Sequence, residues 1–224
     1  MSRNHIEKIV YPKCNTESDF VLWDSINTML DPEMKAKVRT GEAFRWECPK
    51  CGYRSNADYA TLYHQMEDHV MIYYVPGDKT EAIGFMKGIF RNSDGEAIEP
   101  GIDLKLDNDY CNRIVGTQNE LREKLVILDE GLDDHVIELM KLIMKVHLQN
   151  NDQDLKIEEF LFDIDQEGTR FFAINLGNGE WGHTDFVQDM YDSIAEDMKD
   201  IIENDDEVVV DFNWALAAIQ KGKR

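Results

Sequence analysis

The spacing of apolar residues changes along this chain, and each change marks an element. Ile9 and Tyr11 run as a short strand into a tight turn at Cys14, and Phe20, Leu22 and Trp23 form a second strand-like run. A hairpin with a cysteine at its tip is expected. Asp31, Pro32 and Glu33 begin a helix with a capping carboxylate, a proline whose missing N–H costs nothing at the first helical position, and an acid facing the helix N-terminus. Gly41 ends it. Phe44 and Trp46 lead as a strand into Cys48-Pro49-Lys50-Cys51-Gly52, a second cysteine turn. Val70, Ile72 and Tyr74 then alternate with Met71 and Tyr73 as in a buried strand, and Pro76-Gly77 marks a boundary.

Beyond that boundary Asp78 and Glu81 form a capping box ahead of Ile83, Met86 and Phe90, which predicts a helix over 79–91, followed by a loop over 92–109. Arg113 to Val115 read as a brief extended stretch. Thr117 with Glu120 caps a helix carrying Leu121, Leu125 and Leu128, and Gly131 breaks it. Leu132, Val136, Leu139, Met140, Ile143 and His147 then trace one stripe of a longer helix ending near residue 148. Residues 160–164, 171–176 and 180–183 predict a three-stranded meander, with Asn178-Gly179 as the type I′ turn. Thr184 is expected to cap a helix through Ile201, residues 208–210 to add a strand, and Trp214 to Ile219 to form a last helix. Strands and helices are segregated, so the class is α+β. The expected organisation is a cysteine module over 1–76 and an α+β region over 77–224, helical over 77–148 with the meander and a helix over 149–224.

Charge changes the picture mainly by what it excludes. Of 224 residues, 24 are Lys or Arg and 45 are Asp or Glu, giving a net charge of −21. That balance repels a phosphate backbone, so nucleic-acid binding is not expected. Residues 1–54 are nearly neutral, with nine basic and eight acidic side chains, and the remainder carries the acidity. No apolar run approaches the roughly 20 residues of a membrane-spanning helix, and Met1 to Val10 lacks the continuous apolar stretch of a signal peptide. The expectation is a soluble, cytoplasmic protein with no membrane partner.

Without an export signal, the four cysteines point to thiolate chemistry rather than disulfides. Cys48 and Cys51 at C-x-x-C spacing aim two sulfurs at one point, which is half of a tetrahedral zinc site. Tyr11-Pro12-Lys13-Cys14 has the same spacing and the same Pro-Lys interior, with tyrosine in the first position. These paired knuckles, the Asp31-Pro32 helix start with Gly41-Glu42 after it, the approach from Phe44 to Cys48, and Leu62-Tyr63-His64 before an apolar strand resemble the CPXC domain family. The resemblance covers about the first 75 residues; Arg113-Ile114-Val115, Glu123-Lys124 and Leu132-Asp133-Asp134 extend it to about 145. It implies a zinc-ribbon-like cysteine module, found in bacterial proteins whose biochemical role is not established. The family pattern has cysteine at both ends of each knuckle, and Tyr11 departs from it.

Four outcomes compete for Cys14, Cys48 and Cys51. They are a structural zinc completed by an imidazole from His5, His64 or His69; loss of the metal, with the Tyr11 ring packing in its place; a three-thiolate zinc with an open catalytic position; and redox activity of the C-x-x-C pair. His64 and His69, five apart on an assumed strand, would face opposite sides and stay apart. Asp163, Asp165 and Glu167-Gly168 read as a hairpin turn rather than a calcium loop, and Cys111 as a small buried hydrophobe. The functional expectation is a non-catalytic binding or scaffold protein working with a protein partner, homo-oligomerisation being left open. Its cysteines Cys14, Cys48 and Cys51 form the candidate metal site, with no catalytic residue and no other cofactor assigned. The alternative is an enzyme built on the same sulfurs.

Overall fold

The computed structural model describes residues 2–87, 90–91, 97–98, 110–177 and 179–222. The chain divides into two compact units, Met1–Arg122 and Glu123–Arg224, and mixes helix with largely antiparallel sheet in the α+β manner.

In the first unit, β1 (Arg3–Val10) and β2 (Glu17–Asn27) form the expected antiparallel hairpin. Helix α1 (Glu33–Arg39) follows and buries Met34 and Val38. Its N-cap is Pro32 rather than Asp31, whose backbone carbonyl accepts from Met34 N while no side chain caps the helix. Gly41 sits at φ 72, the left-handed conformation that glycine adopts without a Cβ clash, and ends the helix as expected. Phe44 closes a short 3-10 turn instead of joining the strand, and β3 (Arg45–Glu47) pairs with β4 (Arg54–Asn56) as a two-stranded ribbon.

Strands β5 (Thr61–Gln65) and β6 (Val70–Tyr74) form a second hairpin, whose alternating burial leaves Tyr63, Ile72 and Tyr74 inside. Helix α2 (Thr80–Met86) is shorter than predicted. Asp78 bonds the amide and hydroxyl of Thr80 rather than building a box with Glu81, and Phe90 belongs to a ribbon between β7 (Phe90–Arg91) and β8 (Ala97–Ile98). The rest of the predicted loop over 92–109 lies outside the described residues. Strand β9 (Cys111–Val115) completes a five-stranded sheet of order β1-β2-β5-β6-β9, pairing in parallel with β6. Residues on both sides of Pro76-Gly77 therefore share one sheet.

Helix α3 (Gln118–Asp129) starts at the capping box read from the sequence. Thr117 Oγ1 accepts from Glu120 N at 3.1 Å, and the Glu120 carboxylate accepts from the Gly116 and Thr117 amides. The boundary between the compact units falls inside this helix. In the second unit α4 (Asp134–Asn151) is capped by Asp133, which accepts from His135 N. Strands β10 (Glu159–Ile164), β11 (Arg170–Gly177) and β12 (Glu180–Asp185) make the predicted meander. Asn178 of the expected turn lies outside the described residues. The turn between β10 and β11 is closed by Asp165, which accepts from the Glu167 and Thr169 amides, as read.

Thr184 lies in β12 and caps nothing; α5 (Gln188–Asp197) starts after Val187, and α6 (Lys199–Glu203) follows after a break at Met198. Among the described residues, 208–210 pair with no strand. Val208 and Val210 are buried by packing instead, ahead of α7 (Phe212–Gly222).

The core of the second unit has apolar and ionic parts. Phe160, Phe162, Phe172 and Ile174 from the meander pack on Ile137 and Met140 of α4, while Leu139 and Leu142 meet Val210, Trp214 and Ala215. Between them lies a buried charge network. Lys141 Nζ contacts both oxygens of Glu123 at 3.0 and 3.1 Å and Glu138 at 2.9 Å. Lys124 Nζ reaches Asp134 at 2.9 Å, Glu138 at 3.3 Å and the Val210 carbonyl at 2.7 Å. Phe162 N donates to Glu123 at 2.7 Å, which ties β10 to α3. Burial alone would lower the pKa of both lysines, but the surrounding carboxylates outweigh it and raise both above the ordinary amine value.

Candidate metal centre

The two cysteine turns fold alike because their sequences do. In the first, Tyr11 N donates to Thr16 O at 2.9 Å and Asn15 N donates to Tyr11 O at 2.8 Å. In the second, Cys48 N donates to Tyr53 O at 2.8 Å and Gly52 N donates to Cys48 O at 2.9 Å. Asn15 at φ 52 stands where Gly52 stands at φ 66, a left-handed position that asparagine tolerates better than most residues. Tyr11 thus holds the place of Cys48, and Cys14 the place of Cys51. Each knuckle joins two antiparallel strands, β1 and β2 of the five-stranded sheet in one case and β3 and β4 of the two-stranded ribbon in the other.

The knuckles meet. Sulfurs of Cys14, Cys48 and Cys51 all lie within 4.8 Å of one another, and Cys14 Sγ is 3.5 Å from Cys48 Sγ. Cys48 is buried, whereas Cys14 and Cys51 are half-exposed. At the Zn–S length of about 2.3 Å, tetrahedral ligands stand roughly 3.8 Å apart, so the sulfurs are already near ligating separation. The Thr16 hydroxyl, 3.2 Å from Cys14 Sγ, together with the Thr16 amide draws the Cys14 thiol down to about 7. Cys51 moves the other way: the Tyr53 backbone favours its thiolate, but burial and the neighbouring sulfurs prevail and raise it.

The fourth position is not filled by the residues expected to fill it. Among the described residues no histidine or carboxylate joins the three sulfurs. His5 Nδ1 faces Asp24 at 3.3 Å. His64 and His69 do not face opposite sides of a strand, because β5 stops at Gln65 and a 3-10 turn intervenes. Both reach Tyr110: His64 Nε2 lies 3.1 Å from its hydroxyl, and the His69 ring stacks on it at 5.1 Å. Cys111, in β9, is not part of the sulfur group. Tyr11 is buried and stacked on Trp46 with ring centroids 4.8 Å apart, and its hydroxyl is engaged by Ser18 Oγ and the Glu47 carbonyl, each at 2.8 Å. The chain therefore offers three sulfur donors able to bind a metal ion, and a phenol committed elsewhere.

A second group of ligand-type side chains, Asp133, Asp134 and His135, went unnoticed in the sequence. Its members are occupied: Asp133 caps α4 and contacts His135 Nδ1 at 2.8 Å, Asp134 pairs with Lys124, and His135 Nε2 faces Asp205 at 3.4 Å. The shared feature that could have revealed it is position, since all three open a helix whose flanks are apolar.

Among the described residues no helix is long and apolar enough to cross a membrane. No curated protein and no solved structure matches the chain. Residues 9–141, more than half of the sequence and including both knuckles, match the family described as CpXC protein, and the chain belongs to that family.

Proposed function

We propose that this CpXC protein is a non-catalytic binding protein whose two knuckles are fastened by a zinc ion held by Cys14, Cys48 and Cys51. One observation carries the reading: three sulfurs from turns 34 residues apart converge to within 4.8 Å. Thiolate donors suit zinc, whose lack of redox chemistry fits a structural clasp, and knuckles at C-x-x-C spacing are its usual carriers. Supporting a binding role over catalysis, no histidine or carboxylate among the described residues stands in the sulfur group to serve as a general base. The partner is a protein rather than a nucleic acid, consistent with the net charge of −21 and with the exposed apolar Ile6 and Val21, which pair across β1 and β2.

Elemental analysis of the untagged full chain from zinc-supplied cells tests the clasp. About one zinc per chain is expected. Zinc found only in a Tyr11→Cys variant, and not in the natural chain, overturns it.

A further inference from the structure

We infer that the sulfur cluster is also a modification site for hydroperoxides, at which Cys14 is oxidised and Cys48 closes a disulfide onto it. The observations are the 3.5 Å separation of the two sulfurs and their unequal exposure. Cys14, half-exposed at the hairpin tip, meets a small oxidant in solvent; Cys48, only 1% exposed, does not. Cys51 is half-exposed as well, but it is the Cys14 sulfur that stands 3.5 Å from Cys48, so attack at Cys14 leaves its product beside a sulfur able to finish the reaction. A disulfide needs about 2.05 Å between sulfurs, so the pair must close by roughly 1.5 Å. Both residues sit in turns rather than within strands, where side-chain rotation meets least resistance.

The chemistry balances with a hydroperoxide as the oxidant. The Cys14 thiolate attacks the distal peroxide oxygen; the S–O bond forms, the O–O bond breaks, and the leaving alkoxide or hydroxide takes up a proton. The Cys48 thiolate, its proton given to solvent, then attacks the Cys14 sulfur. The S–S bond forms, the S–O bond breaks, and hydroxide leaves as water. Two thiols are oxidised by two electrons, and one hydroperoxide is reduced to an alcohol or water plus one further water. The product joins the tip of the β1–β2 hairpin to the second knuckle and consumes two of the three zinc donors. Release of zinc on oxidation rests on the zinc reading above; the disulfide itself rests on the sulfur geometry alone.

The test treats the metal-free full chain with one equivalent of hydrogen peroxide and maps the linkage by mass spectrometry of a non-reducing digest. The four thiols should fall to two, the peptide holding Cys14 should be found joined to that holding Cys48, and dithiothreitol should reverse the bond. A Cys14→Ser variant should keep its remaining thiols at the same dose. Linkage of Cys48 to Cys51, of Cys14 to Cys51 or of two chains overturns the inference. So does a sulfinic acid at Cys14 with Cys48 still open to alkylation. In a parallel arm with zinc added, one zinc should leave per disulfide formed. A chain that never takes up zinc defeats the clasp while the metal-free map still decides the disulfide.

Discussion

Three sulfurs converge in the first compact unit, and three carboxylates with two ammonium groups converge in the second. In the second unit Lys124 and Lys141 answer Glu123, Asp134 and Glu138, with the Phe162 amide and the Val210 carbonyl taking up remaining hydrogen bonds. In the first unit the sulfurs have mainly one another and Thr16 as neighbours. The difference teaches how to read each site. Charges that satisfy one another inside a core serve the fold, whereas donors of one kind gathered at a half-exposed turn could bind a metal ion.

The comparison can be broken most forcefully at Lys141. A Lys141→Met change leaves Glu123 and Glu138 facing each other without their shared cation, and urea unfolding of the full chain should show a loss of about 3–5 kcal/mol. A loss under about 1 kcal/mol would show the network to be looser than its distances suggest. Next comes the stability that the proposed zinc would supply. With zinc at about a hundred times its dissociation constant, the natural chain should gain about 2.7 kcal/mol over chelator-treated protein, and Cys48→Ser should show no such increment.

A smaller effect is expected at the start of α3, where Glu120→Ala removes the acceptor for two amides and should cost about 1 kcal/mol. Unchanged stability there would mean that the buried charges hold the helix without its cap. The last test concerns reactivity. The Cys14 thiol lies below the ordinary value of 9.0, so the Thr16 contacts favour the folded thiolate above pH 9, and that preference is lost as pH falls through about 7. Alkylation of Cys14 in metal-free protein should accordingly reach half its maximum near pH 7, and in Thr16→Val it should shift upward. Identical curves for the two proteins would remove Thr16 from the account.

The sulfur site was legible because its information is local. Tyr11-Pro12-Lys13-Cys14 and Cys48-Pro49-Lys50-Cys51 each specify a turn within a few residues, and their likeness marks them as a pair. The histidines proved to be no ligands for two reasons: His5 lies in β1 against Asp24, and the places of His64 and His69 depend on where β5 ends, which spacing alone did not give. The ionic core was hidden for another reason: Glu123-Lys124 on a helix reads as a solvated pair. Yet α4 carries Val136, Ile137, Leu139, Met140 and Leu142 around most of its circumference, which leaves Asp134, Glu138 and Lys141 no solvated face. The strand expected at 208–210 failed because three valines favour extended backbone, while pairing requires a neighbour that the meander does not supply.

Helix α3 is shared property. The compact units part between Arg122 and Glu123, in mid-helix, whereas the family match runs on to residue 141, as far as the lysine that closes the ionic core. Geometry and ancestry thus cut this chain at different places. A fragment ending at Arg122 would leave α3 fraying with four unanswered carbonyls at the new end, while one reaching Lys141 would keep the helix and expose the charges it was built to hide.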